Sequence, residues 1–514
     1  MTQAQATAPA APAIGAAWTG RAARIAVGIA LGLASGGLAT LAFPPFEAWP
    51  LIFVAFVPMV VAQHRIMPAR LSPLVPGAAI GAYYAGQLSG GLADGSVAWY
   101  IQLWPLYVGL FIALLCWPGR SFHARTGYRW LTLSFPIAWV GIDAARAFTG
   151  IDVLAGTWGN PVYALYGQPW MLQPLSIFGL FGLELLVLAI NFALAGLVIA
   201  FMDRRGEPTE GPALPMSRAM KAAGIVAAVA LLWTGLSLLQ FKEVPGTLRV
   251  GTIQANAPLD REEELQRNIV ATRDLAARGA KIVVWREGML KFHPLRERTG
   301  ELKALAAETG AYIAVGYGVR QDDGLRLNEA VVFAPDGKVF GPYGKSHPGR
   351  FAGDHSDTGG EYKVYDTALG RIATIICYDL DFTDTAREMA RRGAVFIAVP
   401  SNDVPAIATT HYTHLVFRAI ENRLPMAKAD SLYDTAIVDP YGRLLARNVN
   451  ALSASEAKRV AESRSLPTQT LIADVALGGE RTLTTRLGDW MGWLAIVAML
   501  VLAALSLRGA LRRR

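Results

Sequence analysis

Ile372-Ala373-Thr374-Ile375-Ile376-Cys377-Tyr378-Asp379 is the stretch on which the reading of the fold turns. A short apolar run rich in β-branched residues reads as a buried strand, and it stops at a cysteine followed by a polar pair. Strand ends are places where a rigid scaffold presents a side chain to a site. Two other segments share that grammar. Ile282-Val283-Val284-Trp285-Arg286-Glu287 ends an apolar strand on a carboxylate, and Phe340-Gly341-Pro342-Tyr343-Gly344-Lys345 brings a lysine out of a turn.

Working outward, strands are expected at 248–253, 312–319, 329–334 and 395–399, and helices at 261–278, 299–309 and 383–392, with a hairpin turn at Pro335-Asp336-Gly337-Lys338. Alternating strands and helices predict an α/β domain with helices outside packed sheets. Taken singly, Glu287, Lys345 and Cys377 have plain readings: two solvated charges and one small core residue. No G-x-S-x-G elbow, phosphate-binding P-loop or H-E-x-x-H motif occurs, which removes several hydrolase and nucleotide-enzyme readings. His411 and His414 lie three apart without an apparent third ligand, and no metal is assigned to them.

The chain has 514 residues, 53% hydrophobic and 17% charged, a composition leaning away from an ordinary soluble protein. The apolar residues concentrate up to about Phe241 and again from Trp490 to Leu507. Candidate spans are 22–41, 49–63, 76–91, 101–117, 130–145, 171–201, 220–241 and 490–507, about eight in all. Arg21, Arg24, Arg65, Arg70, Arg120, Arg125, Arg129, Arg204, Arg205, Arg218, Lys221, Arg508 and Arg512 to Arg514 fall in one set of alternate loops. The other set holds Glu47, Asp94, Asp143, Asp152 and only Arg146. By the positive-inside rule both termini are cytoplasmic and the domain between spans seven and eight lies outside. The net charge of +8 follows from these clusters rather than from a nucleic-acid surface. Glu184, inside the sixth span, is an intramembrane carboxyl that is either functional or hydrogen-bonded between packed helices. Two cysteines, Cys116 and Cys377, exclude a disulfide framework.

Glu287, Lys345 and Cys377, in that order, resemble the nitrilase superfamily. The surrounding words agree: Gln254-Ala255-Asn256, Asn328, Tyr343-Gly344-Lys345-Ser346-His347, Cys377-Tyr378-Asp379, Ser401-Asn402-Asp403, Arg418-Ala419-Ile420-Glu421-Asn422-Arg423 and Asp439-Pro440-Tyr441-Gly442-Arg443. Within it the chain resembles the apolipoprotein N-acyltransferases through Phe43-Pro44-Pro45-Phe46, Gly179-Leu180-Phe181-Gly182, Asn191 and Thr484-Thr485-Arg486-Leu487-Gly488-Asp489-Trp490. The resemblance implies an αββα sandwich held between seven membrane helices and one. The expected division is a disordered lead at 1–20, a membrane domain at 21–245, a catalytic domain at 246–477, and a last helix with a basic tail at 478–514.

The resemblance further implies a bacterial inner-membrane enzyme, monomeric and without cofactor, metal or nucleic acid. It moves an acyl chain from a phospholipid to a diacylglyceryl apolipoprotein. Cys377 is the implied nucleophile, Glu287 the base and Lys345 the oxyanion partner, supported by Tyr378, Asp379, Asn402 and Asp354. The chain departs from the family pattern at Arg286, Gly353, Asp379, Val404 and Pro405, around the site. Two alternatives stand beside this reading: a membrane-anchored amidase using water, and a non-catalytic lipoprotein-binding homologue.

Overall fold

The computed structural model describes residues 20–89, 99–149, 156–206, 210–254, 261–322, 324–349, 354, 361–403, 407, 410–450, 456, 459 and 468–511. Residues 1–19 of the expected lead, Asp94, Asp152, Ala255, Asn256, Gly353, Val404, Pro405 and Arg512 to Arg514 lie outside them.

The apolar half of the chain forms α1 (Arg21–Leu41), α2 (Leu74–Gln87), α3 (Trp104–Leu115), α4 (Leu131–Thr149), α5 (Leu175–Arg204) and α6 (Met216–Gln240). Among the described residues, five helical stretches are long and apolar enough to cross a bilayer: 21–41, 49–66, 104–125, 175–204 and 216–240. With little hydrophobic drive between helices in lipid, close backbone approach has to supply the attraction. A Cβ on Gly36 of α1 would lie 2.4 Å from the Ala79 carbonyl of α2, and one on Gly77 of α2 2.6 Å from the Gly109 carbonyl of α3. These glycines set the spacing of the first three long helices.

The second and fifth spans depart from the helices expected of them. The second is broken into the turn Trp49–Phe53 and the helical stretch Val57–Val61, which continues to Ile66. Its freed backbone is satisfied by Asn191 of α5, which donates to the Ile52 carbonyl and accepts from the Phe56 N–H, both at 2.9 Å. The fifth runs on to Thr149, so Asp143 and Arg146, assigned to a loop by the charge pattern, are helical.

The polar half carries two six-stranded sheets. The first has the order β12-β1-β2-β3-β4-β5 and the second β11-β10-β9-β8-β7-β6. The strands are β1 (Leu248–Gln254), β2 (Ile282–Val284), β3 (Tyr312–Arg320), β4 (Arg326–Phe333), β5 (Val339–Gly344) and β6 (Val364–Thr367), followed by β7 (Gly370–Thr374), β8 (Phe396–Pro400), β9 (Met426–Ala429), β10 (Asp434–Val438), β11 (Leu444–Val449) and β12 (Gln469–Val475). Parallel triplets β1-β2-β3 and β7-β8-β9 form the centres, and antiparallel strands flank them. The sheets face each other through Val250, Val284, Ala314 and Val332 against Ile372, Phe396, Ala398 and Ala427. Helices α7 (Arg261–Ala277) and α8 (Thr299–Thr309) cover the first sheet with Leu265, Ile269, Leu302 and Leu305. The second sheet is covered by α9 (Thr383–Arg391) and α10 (Tyr412–Asn422).

Helix α10 is buried on every side, because its outer face meets the membrane helices instead of water. A helix in that position needs partners for each polar group it carries. Gly179 adopts φ 64°, ψ −176° and breaks α5, and the Leu180 N–H exposed by the break donates to Glu421 of α10 at 2.9 Å. Arg418 pairs with the other Glu421 oxygen at 3.1 Å and donates to the Tyr163 hydroxyl at 2.9 Å. Arg423 donates to Gln173, and Gln173 in turn to the Tyr441 carbonyl at 2.9 Å. At the head of α11 (Trp490–Leu511), Asp489 accepts from Thr383 and Arg387 of α9, both at 2.7 Å.

Burial lifts the Glu421 carboxyl to about 7, with Arg418 pulling it back down. Replacing Arg418 by Met leaves that carboxyl without its cation, and breaking a buried pair in this way costs about 3–5 kcal/mol. The thermal unfolding midpoint of the detergent-solubilised variant is expected to fall clearly below wild type. An unchanged midpoint would contradict the role given to this joint.

Candidate active site

Cys377 follows β7 with φ 46°, a left-handed conformation that a β-carbon disfavours, and begins the tight turn Cys377–Asp381. The conformation is held by Asp379, fully buried beneath the turn. One of its oxygens accepts from the Ile376 N–H at 2.9 Å and the Tyr343 hydroxyl at 2.8 Å, the other from the His347 N–H at 2.9 Å. Because Tyr343 and His347 flank Lys345, a single carboxylate fixes the nucleophile elbow to the lysine turn. The shorter aspartate at this departure from the family pattern meets all three donors.

Glu287 leaves β2 with its N–H on the Ser401 carbonyl at 3.2 Å. Its Oε1 accepts from Lys345 Nζ at 2.9 Å and from Asn328 Nδ2 at 2.5 Å. Asp354 takes the other side of the ammonium at 2.9 Å and contacts the Asn328 amide at 3.3 Å. The neighbouring Arg286 is buried, donates to the Glu287 carbonyl at 3.0 Å and pairs with Glu264 of α7. The arginine that departs from the pattern therefore braces the acid's backbone without entering the site.

Burial drives the Cys377 thiol well above its ordinary range. Glu287 and Asp403 add to that, while Lys345 and the Asn402 N–H on the sulfur oppose it. Burial would depress Lys345, yet Glu287, Cys377 and Asp354 outweigh it and hold the ammonium well above its usual value. The site thus holds a protonated thiol beside a lasting cation, with Glu287 fixed by Lys345 and Asn328. The thiol needs a base at the moment of attack, and its thiolate has a counter-ion waiting.

Of the residues expected at the site, the structure brings Glu287, Lys345, Asp354, Cys377 and Asp379 into one network. Asn402 contributes otherwise than expected: its side chain is exposed and accepts from Ser431 at 2.6 Å, while its backbone N–H faces the sulfur. Sequence reasoning gave no role to Asp403, His411, Lys428 or Asp381. Cys377 Sγ lies 3.5 Å from Asp403 Oδ1. His411 donates to that oxygen from Nδ1 at 2.8 Å and to Asp381 from Nε2 at 3.0 Å, and Lys428 Nζ lies 2.8 Å from Asp403 Oδ2. Lys428 also fills the space between Asp430 and Asp434. Against its burial, His411 and Lys428 hold Asp403 well below the usual carboxylate range. A carboxylate so heavily paired is a poor acceptor for a proton. The advance signals were the Ser401-Asn402-Asp403 stretch and the His411/His414 spacing. Asp381 meets both imidazoles, at 3.0 and 3.3 Å.

A carbon-nitrogen hydrolase family model matches residues 249–478, and a model of the apolipoprotein N-acyltransferase N-terminal domain matches residues 35–193. An apolipoprotein N-acyltransferase of Geobacter metallireducens is 27% identical, covering 92% of this chain and 94% of its own. One of Nostoc sp. is 26% identical over 79% of this chain and 88% of its own. An omega-amidase of Homo sapiens is 27% identical over 39% of this chain and 84% of its own. The twinned sheets with their Glu, Lys and Cys define a carbon-nitrogen hydrolase of the nitrilase superfamily, here joined to apolar helices. With both family models matched in order and relatives aligned along most of its length, the chain belongs to the apolipoprotein N-acyltransferase family.

Between two carboxylates, and despite its burial, His411 keeps its proton up to about pH 10, against an ordinary value of 6.5. A group whose folded-state value is raised contributes stability fully below about pH 6.5 and loses it as pH climbs towards 10. The wild-type unfolding midpoint should decline across that interval, and His411→Gln should flatten the decline while lowering the midpoint at neutral pH. Parallel profiles for the two proteins would show that His411 is not charged.

Proposed function

We propose that this protein is an N-acyltransferase that moves a fatty acyl chain from a membrane glycerophospholipid, through a thioester on Cys377, to the α-amine of the N-terminal diacylglyceryl-cysteine of an apolipoprotein. The observation that carries this reading is the direct attachment of the nucleophile's turn to the membrane helices. Thr157, between α4 and α5, donates to the Asp381 carbonyl from both its N–H and its hydroxyl at 2.7 Å, four residues beyond Cys377. A tethered soluble enzyme has no need of that bond; an enzyme drawing its donor from the bilayer does.

Glu287 takes the thiol proton, and the thiolate attacks the ester carbonyl carbon. A C–S bond forms, the C–O bond breaks, and Glu287 returns the proton to the departing alkoxide, releasing a lysophospholipid. The lipoprotein amine then attacks the thioester. A C–N bond forms, the C–S bond breaks, and the amine proton passes through Glu287 back to sulfur. In both halves Lys345 stands beside the developing oxyanion, with the Tyr378 N–H as the further donor.

In this reading the chain sits in a bacterial inner membrane, with both termini cytoplasmic and the catalytic domain outside. At the helix ends remote from that domain, Arg65 pairs with Asp203 at 2.7 Å and Arg24 with Glu210 at 3.1 Å. Arg120 and Arg218 join them, donating to the Glu210 and Gly127 carbonyls, and the positive-inside rule assigns such a basic end to the cytoplasm.

Wild-type protein incubated with phospholipid should show a hydroxylamine-sensitive acyl adduct on Cys377 by mass spectrometry, and Cys377→Ala none. Lys345→Met should slow adduct formation by about a hundredfold or more, the usual cost of one oxyanion donor. Given a diacylglyceryl lipopeptide, the wild type should return the N-acylated product. Free fatty acid in its place would mean that water is the acceptor and that the protein is a hydrolase.

A further inference from the structure

A cleft of about 970 Å³ opens between α3, α4 and α11, and none of Cys377, Glu287 or Lys345 lines it. Its walls are apolar and aromatic: Trp104, Phe111, Phe135, Trp139, Met499 and Leu500. Such a cleft among membrane helices is filled by lipid unless protein fills it, and its shape states which part of a lipid goes where.

One end is polar. Arg146 of α4 lines it, donates from Nη1 to the Trp158 carbonyl at 2.9 Å, and has Nε 3.5 Å from Asp143 Oδ1. Its Nη2 is buried with no hydrogen-bond acceptor among the described residues. A guanidinium at membrane depth with an idle N–H edge is costly unless something anionic meets it. The planar edge suits a phosphate, whose oxygens accept charge-assisted bonds. Arg146 holds the Trp158 carbonyl, and the adjoining Thr157 N–H bonds to the Asp381 carbonyl, so the Arg146 end is the one facing the catalytic domain. Ser134, which lines the cleft near the start of the same helix, is twelve residues away, about 18 Å at 1.5 Å per residue. That is close to one leaflet of a hydrocarbon core about 30 Å thick.

We infer that this cleft binds one glycerophospholipid, with its phosphate on Arg146 Nη2 and an acyl chain laid along Phe111 and Trp139 towards Ser134. As a lipid site it stands apart from the catalytic reading; as the seat from which the acyl donor is drawn, it rests on that reading.

Full-length Cys377→Ala protein in detergent, which cannot consume the lipid, is titrated with a phosphatidylcholine carrying brominated acyl chains, and tryptophan quenching is followed. A diacylglycerol with the same chains is the phosphate-free control. Both should quench saturably, and the combined Trp104→Phe and Trp139→Phe exchange should remove most of the amplitude. Arg146→Gln should weaken phosphatidylcholine by about tenfold or more, the worth of one hydrogen bond to a charged group, and leave diacylglycerol unchanged. Ala138→Phe, which fills the cleft, should abolish saturable quenching by both. Unchanged phosphatidylcholine affinity in Arg146→Gln, or unchanged amplitude without the two tryptophans, overturns the site. Should Arg146→Gln lose both lipids, Arg146→Lys decides: a restored preference for phosphatidylcholine supports the site, and equal binding of the two lipids overturns it. Adduct formation on wild-type Cys377 is scored separately, so failure of the cleft and failure of the acyltransferase reading remain distinguishable.

Discussion

The bond from the Leu180 N–H to Glu421 is the joint on which the architecture depends. It pairs a helix broken inside the membrane half with a helix of the catalytic half that has no face to water. Each would be untenable alone: the break exposes a backbone donor, and α10 buries a carboxylate. Together they satisfy one another, and Arg418 supplies the remaining charge. The outer layer of the second sheet is therefore also the seat of the domain on the membrane helices, and Cys377 emerges from that same sheet.

The site follows from this placement. The second sheet supplies Cys377, the first supplies Glu287 and Lys345, and Asp379 ties the two together beneath the turn. Burial alone would leave a thiol inert, and the ions around it restore its usefulness. Lys345 remains cationic because three acidic neighbours outweigh its desolvation, and Asp403 remains anionic because His411 and Lys428 do the same for it. The Asp403 carboxylate 3.5 Å from the sulfur is thus locked in ion pairs, while Glu287 comes from the opposite sheet.

The α/β layering and the residues Glu287, Lys345 and Cys377 were legible because each closes a strand or turn, a local pattern. Asp381, Asp403, His411 and Lys428 were not, since their meaning lies in contacts between segments far apart in the chain. Asp143 and Arg146 were misplaced for a related reason: a charge beside an apolar run reads as a loop until packing shows that the helix continues. The second span hid its break because the compensating Asn191 sits more than a hundred residues later. Gly36 and Gly77 acquire their meaning only from the carbonyls of neighbouring helices packed against them.

Asp489 adds a temporal consequence. Its carboxylate, at the threshold of α11, is satisfied by Thr383 and Arg387, which exist as neighbours only once α9 has formed on the second sheet. The final helix therefore has no complete berth until the catalytic domain has folded, whatever the order of synthesis. The wall that α11 gives to the membrane cleft is thus seated only after α9 is in place.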